Sequence, residues 1–240
     1  MNFYGMTDKG LQRDMNQDVY YTHKFSEQVG FAIVCDGMGG QSAGQIASEM
    51  VCNIVATSLV EKLEHLDMPK MNEVIVNAIS EANIQVYKKS NIEAGYKGMG
   101  TTIVLAVVVD HTAYIANIGD SRVYLISKNS IKQVTKDHSF VQELLEQGKI
   151  SQQEMSTHPN KNMITRAVGV SLTVDIDYIT IPLEQDAKLL LCSDGLTNML
   201  SDEQIKEIVS DNEAQIACKE LINLANKAGG IDNITVAVIE

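Results

Sequence analysis

Asp18, Asp36, Asp120, Asp194 and Asp232 share a local grammar that isolated carboxylates do not have. Asp36, Asp120 and Asp194 each close an apolar run and are followed by Gly or Ser, as in Val34-Cys35-Asp36-Gly37, Ile118-Gly119-Asp120-Ser121 and Cys192-Ser193-Asp194-Gly195. Asp232 opens the last apolar run just before Asn233, and Asp18 stands directly before Val19-Tyr20-Tyr21. Carboxylates carried on neighbouring strand ends can converge on one point while rigid strands hold them there. Crowded carboxylates repel and raise one another's pKa, so such a cluster calls for cations. Oxygen-only donors select hard ions such as Mg2+ or Mn2+ over zinc. Two such ions about 3.5–4 Å apart can activate a water for in-line attack on phosphorus. Arg13, close in sequence to Asp18, offers a bidentate fork to a phosphate. Taken singly, each Asp-Gly or Gly-Asp-Ser is a turn sequence. The recurrence of the pattern is what points to a site.

Placing these side chains requires strands. Phe31-Ala32-Ile33-Val34-Cys35 is continuously apolar and reads as a strand buried on both faces, delivering Asp36 at its end. Gly37, Gly39 and Gly40 let the chain bend there and approach a ligand closely, so that a backbone carbonyl can itself become a ligand. Apolar residues then recur at helical spacing from Ile46 to Leu59 and from Val74 to Val86, with Asp67 and Pro69 marking the break between two amphipathic helices. Thr101 to Val109, Thr112 to Ile118 and Arg122 to Ile126 read as an antiparallel meander. That order argues against a doubly wound nucleotide fold, and no Walker loop is present. Phe140 to Gly148 reads as a short helix with Asp137 as its cap and His138 as a structural residue, and Ser151…Glu154 and Ser201…Gln204 as capping boxes. Val174 to Ile181 alternates, which puts Asp175 and Asp177 on one face in a structural role, and Ala187 to Cys192 is another buried strand. A helix over Ala214 to Lys227 and a strand over Ile234 to Ile239 follow.

With 240 residues, 45% of them apolar, the sequence fits one domain with a substantial core. A net charge of −12 leaves no basic footprint for nucleic acid. The four cysteines, Cys35, Cys52, Cys192 and Cys218, lie in apolar patterns without Cys-x-x-Cys spacing, as expected of core residues in a reduced cytoplasmic protein. No apolar run approaches the roughly 20 residues of a membrane span, and the start carries no secretory signal, so no membrane partner is expected.

The set Arg13…Asn16-Gln17-Asp18, Asp36-Gly37-Met38-Gly39-Gly40, Gly100-Thr101-Thr102, Gly119-Asp120-Ser121-Arg122, Ser193-Asp194-Gly195 and Gly230-Ile231-Asp232-Asn233-Ile234-Thr235 closely resembles the metal-dependent serine/threonine protein phosphatases of type 2C, in the same order and across almost the whole chain. The short length and Asp-Gly-Met-Gly-Gly resemble the bacterial branch. The resemblance implies an α+β fold, a four-layer α-β-β-α sandwich with two mainly antiparallel central sheets and a metal cleft at one edge. It implies two core Mg2+ or Mn2+ ions and a third. Asp36 would bridge the pair with the Gly37 carbonyl beside it, Asp194 and Asp232 would hold the first ion, and Asp18 would support the second, through water. Asp120 with Asp194 would form the third site, Arg13 would bind the substrate phosphate, and residues 139–166 would form a flap over a phosphoprotein substrate. The implied reaction is hydrolysis of phosphoserine and phosphothreonine by metal-activated water, without a phosphoenzyme, in a monomer opposing a Ser/Thr kinase.

Two positions depart from that pattern. Met38 stands where many relatives carry a histidine that acts as general acid, and Gln17 stands where some carry an acidic residue. Two rival readings are open to test. A cysteine phosphatase needs Cys-x5-Arg, but six residues beyond the cysteines stand Gln41, Ser58, Asn198 and Leu224. A catalytically silent phosphatase-like binding domain would normally lack a metal carboxylate, and none is missing.

Overall fold

The computed structural model describes residues 1–40, 42–63, 70–92 and 94–240; the helix break expected at Asp67 and Pro69, and Gln41, lie outside them. The elements in chain order are β1 (Phe3–Asp8), β2 (Asp18–Lys24), β3 (Val29–Met38), α1 (Ala43–Leu63), α2 (Met71–Ile92), β4 (Gly100–Thr101), β5 (Ile103–Val109), β6 (Thr112–Ile118), β7 (Arg122–Ser127) and β8 (Ser130–Gln133). They continue with α3 (Phe140–Glu146), α4 (Gln152–Thr157), β9 (Asp177–Pro182), β10 (Lys188–Cys192), α5 (Asp194–Thr197), α6 (Asp202–Asp211), α7 (Ala214–Lys227) and β11 (Ile234–Ile239).

Two antiparallel sheets form, in the orders β1-β11-β10-β7-β8 and β2-β3-β5-β6-β9, with β4 pairing to β3 alone. Strand side chains alternate, so a strand with two apolar faces needs a packing partner on each. Phe31, Ile33 and Cys35 of β3 pack with Ala47, Val51, Val55 and Leu59 of α1 and with Ile75, Ile79 and Ala82 of α2. Their neighbours Ala32 and Val34 point the other way, into a core shared with Leu189, Leu191 and Ala237 of the second sheet. Leu190 and Cys192 pack in turn with Ile205, Val209, Leu221 and Ile222 of α6 and α7. Three apolar cores thus separate four layers, helix pair, sheet, sheet, helix pair, as the resemblance implied. By length and composition alone α1 could cross a membrane. Its apolar stripe instead fills the first core.

Several local expectations change. β3 runs through Asp36 and Gly37 to Met38, because β4 gives those residues partners at Gly37↔Thr101 and Met38↔Gly100. The expected strand from Thr101 is interrupted at Thr102, whose amide and hydroxyl both turn to Asp36. Asp137 does not cap α3: Ser139 is the cap, accepting from Gln142 N, while Asp137 takes the fork of Arg122 at 2.6–3.0 Å. A partly buried guanidinium out-competes a helix terminus for a carboxylate because both partners are charged. Asp175 precedes β9 and so does not share a strand face with Asp177. Both capping boxes, at Ser151 with Glu154 and at Ser201 with Gln204, form as expected.

Candidate metal and phosphate site

Asp18 and Asp36 face each other across β2 and β3 as direct register partners. Opposed residues on antiparallel strands hold their Cβ atoms about 4.5–5.5 Å apart, so hairpin geometry alone forces these carboxylates together. Asp36 is fixed through its backbone: its N–H donates to Thr102 Oγ1 at 3.0 Å, and its carbonyl accepts from Thr102 N and Thr101 Oγ1, both at 2.8 Å. Thr102 Oγ1 bonds in turn to Ser121 Oγ at 2.7 Å, beside Asp120. Gly37 lies where α1 crosses β3, and a Cβ there would stand 2.6 Å from Gln17 O and closer still to Gly44 O.

The other carboxylates come from the second sheet and the turn after β6. Asp194 is the first residue of α5 and accepts from Asn198 Nδ2 at 3.0 Å. Asp232 precedes β11, and Asn233 behind it binds Lys9 O, Met15 O and Gln17 N through its side chain at 2.8–2.9 Å. That amide fastens the Arg13 loop to Asp232, and Arg13 Nη2 meets Asp232 Oδ2 at 2.6 Å. Arg13 was expected near Asp18; its partner is Asp232. Asp18 lies beneath the others, buried, where Ser193 Oγ donates to its Oδ2 at 2.7 Å.

Asp36, Gly37, Asp120, Asp194, Asp232 and Arg13 line one cleft of about 260 Å³, with Asn162 and Ile164 closing its side. A second hollow of about 380 Å³ continues past Asp120 and Asp194 to Lys161 and to Gln152 and Met155 of α4. Burial, then Asp18 and Asp194, hold the Asp36 pKa well above the ordinary carboxylate range. Burial raises Asp18, Asp120 and Asp194 too, with neighbouring carboxylates adding to the shift. At Asp194 the neighbouring Asp36 side chain and the Asn198 amide offset part of that rise.

This is an acidic cluster short of positive charge, built of hard oxygen donors, and it fits Mg2+ or Mn2+. No three of its side chains, among the described residues, already stand in closed coordination geometry. With Asp232 turned to Arg13 and Asp194 to Asn198, the arrangement suits ions that keep much of their water and take one or two carboxylates each.

Residues 5–234 match the family model described as Protein phosphatase 2C. The chain belongs to the protein phosphatase 2C family. It is 40% identical over 240 residues to protein phosphatase PhpP of Streptococcus pneumoniae, covering 98% of this chain and 95% of that one. The crystal structure of serine/threonine phosphatase Stp1 from Staphylococcus aureus superposes with a TM-score of 0.93 at 35% identity, over 99% of this chain and 94% of that one. The catalytic domain of the serine threonine protein phosphatase PstP, solved in complex with 2 manganese ions, matches with a TM-score of 0.86 at 30% identity, over 99% and 96% of the two chains. The expected fold class is borne out, and family membership makes the chain a protein phosphatase, a phosphoric monoester hydrolase.

Sequence reasoning found every carboxylate of the cleft and missed what holds them. Thr102, Ser121, Ser193 and Asn233 fix the aspartate backbones or side chains. The available signal was a short polar residue directly beside three of the aspartates, Ser121 by Asp120, Ser193 by Asp194 and Asn233 by Asp232; nothing next to Asp36 pointed to Thr102.

Proposed function

We propose that this phosphatase hydrolyses phosphoserine and phosphothreonine in proteins, with divalent metal held in the carboxylate cleft, in the cytoplasm, as a monomer opposing a Ser/Thr kinase. The observation that carries this reading is the convergence of four aspartates, Asp36, Asp120, Asp194 and Asp232, on one cleft with Asp18 buried opposite Asp36 and Arg13 at the rim. Asp36 and the Gly37 carbonyl would serve two ions, Asp194 and Asp232 the first, Asp18 the second through water, and Asp120 with Asp194 a third. When bound, Mg2+ or Mn2+ supplies Lewis acidity at the phosphoryl oxygens and lowers the pKa of a water for in-line attack.

The remaining work falls to the chain's own groups. Arg13, half-exposed at the rim, presents its guanidinium to the incoming phosphate, which competes with Asp232 for it. Asn162 and Ile164 carry the flap to the cleft wall, where a protein substrate would lie against them. Met38 lines the cleft without a proton to give, so the proton for the departing Ser or Thr oxygen has to come from water or from another group. His138 is no substitute, since both its ring nitrogens are engaged away from the cleft.

A covalent route finds no support. All four cysteines are buried, and burial pushes the Cys35 thiol well above its usual range and the Cys192 and Cys218 thiols up to about 12. Asp177 is held by Arg166 at 2.6 Å and by His138 at 3.1 Å.

The deciding experiment is phosphate release from phosphothreonine and phosphotyrosine peptides with Mn2+ or Mg2+, then with EDTA, for wild type and Asp36→Ala. Metal-dependent turnover preferring phosphothreonine and lost in Asp36→Ala is expected. Metal binding without turnover of any phosphopeptide would overturn the reading and favour a silent binding domain.

A further inference from the structure

One line of hydrogen bonds joins the carboxylate cleft to the base of the flap, and it passes through His138, which the chemistry above does not use. The ring is buried and both nitrogens are engaged: Gly119 N donates to Nδ1 at 3.0 Å, and Nε2 lies 3.1 Å from Asp177 Oδ2. A backbone amide can only donate, so Nδ1 must be bare. The neutral ring therefore carries its proton on Nε2, toward Asp177. Asp177 Oδ1 accepts from Arg166 Nη1 at 2.6 Å. The main chain repeats the connection, with His138 N donating to Gly119 O at 2.9 Å and Thr165 N donating to His138 O at 2.8 Å. His138 thus grips Gly119 on one side and the closing end of the flap on the other.

Gly119 is a residue that needs a grip. Its φ is +108°, and a Cβ would lie 2.5 Å from Thr102 Cγ2, so neither another side chain nor a relaxed backbone fits. Asp120 follows immediately, and Ser121 beyond it bonds to Thr102, which accepts from Asp36 N. The Asp120 carboxylate therefore rides on an arch with two feet, one on Thr102 and Asp36, the other on His138.

We propose that His138 is a positioning residue for Asp120: its Nε2–H imidazole, oriented by Asp177, holds the Gly119 amide and sets where the Asp120 carboxylate stands relative to Asp36 and Asp194. Arg166 ties that setting to the flap base. A charged ring would turn a second N–H against the Gly119 amide, and burial opposes that form. His138 touches no substrate and moves no proton; it acts through Gly119.

Only the activity arm of the test rests on the phosphatase reading. The tautomer of His138 is read by 15N NMR of the imidazole in the full chain. Mn2+ affinity is read by calorimetry, and kcat and KM are measured on a phosphothreonine peptide, for wild type, His138→Asn, His138→Leu and Asp177→Ala. The wild-type ring should be the Nε2–H tautomer between about pH 6 and 8. His138→Asn, whose Oδ1 can stand near the place of Nδ1, should keep kcat and Mn2+ affinity within about threefold, whereas His138→Leu leaves a buried donor unpaired and should lose about tenfold in each. KM should stay within about twofold in both, because substrate contacts are untouched. Asp177→Ala, at a half-exposed position that tolerates truncation, should lower kcat about threefold to tenfold. An Nδ1–H or doubly protonated wild-type ring overturns the proposal, as do Asn and Leu variants with equal Mn2+ affinity. Should His138→Leu fail to fold, the wild-type tautomer and Asp177→Ala decide. Absence of wild-type turnover would sink the phosphatase reading alone, since the NMR and calorimetric arms do not depend on it.

Discussion

Gly37→Ala isolates the tightest packing in the Asp36-Gly37-Met38-Gly39-Gly40 segment. The new methyl would meet the Gly44 carbonyl of α1 on one side and Gln17 O, 2.6 Å away, on the other. Both obstacles are backbone, so no side chain can rotate out of the way, and β3 must part from α1 or from the Arg13 loop. Overpacking typically costs about 1–3 kcal/mol, and with no soft neighbour the upper end, about 3 kcal/mol, applies. A chain of this size loses about 2–4 °C of Tm per kcal/mol, which gives a fall of about 6–12 °C. Gly40→Ala supplies the control, since a Cβ there meets nothing within 4 Å. Its Tm should stay within about 2 °C of wild type. Both are followed by circular dichroism in EDTA, so that bound metal does not mask the difference, and kcat is measured separately in Mn2+. Because Asp36 is the adjacent residue, a displacement approaching 1 Å should also cost roughly 100-fold in kcat. A Gly37→Ala protein that melts within about 2 °C of wild type and turns over normally would refute the reasoning.

The crowding of carboxylates makes a second prediction, about pH. The unfolded chain ionises its aspartates near about pH 3.9, while folding raises Asp36 well above that. Between those values the folded state binds more protons, so metal-free stability falls as pH rises. In EDTA, Asp36→Asn should match wild type near pH 4 and melt higher than wild type at pH 8, while losing turnover in Mn2+; a variant that melts lower at pH 8 contradicts the electrostatic account. Arg122→Lys keeps the charge but loses the fork that binds Asp137 through Nε and Nη2 and reaches Tyr124 OH through Nη1. It should cost about 2 kcal/mol, or about 4–8 °C of Tm. A change under about 1 °C would show that a point charge serves as well as the fork.

The buried strands and the carboxylates were legible because both follow from short-range rules, whereas the four-layer arrangement was implied only by the resemblance of the motifs. A strand such as Phe31 to Cys35, apolar on both faces, must be covered on both, and a carboxylate at its end must leave the core. What could not be read were choices settled between distant residues. Asp137 looks like a helix cap until Arg122, from β7, arrives to claim it. Arg13 lies five residues before Asp18 in sequence yet pairs with Asp232, because the Asn233 side chain fastens the intervening loop to the start of β11. Thr102 interrupts the strand expected from Thr101 because it serves the backbone of Asp36, a contact no periodicity encodes. His138 was assigned to structure on sequence grounds. Only its two ring partners show which atoms that structure serves.

The position of β11 sets the order in which the cleft can come into being. It is the last strand made, yet it lies between β1, the first, and β10. Until residues 232–240 have left the ribosome, β1 and β10 have no common partner, Arg13 has no Asp232 to meet, and Asn233 is not there to fasten the loop. A chain short of those residues could still pair Asp18 with Asp36 across β2 and β3, but would lack Asp232 and the amide that fastens the Arg13 loop. The sheet's closure is therefore a long-range event, joining residues far apart in the chain, and the Arg13–Asp232 side of the cleft forms only with it.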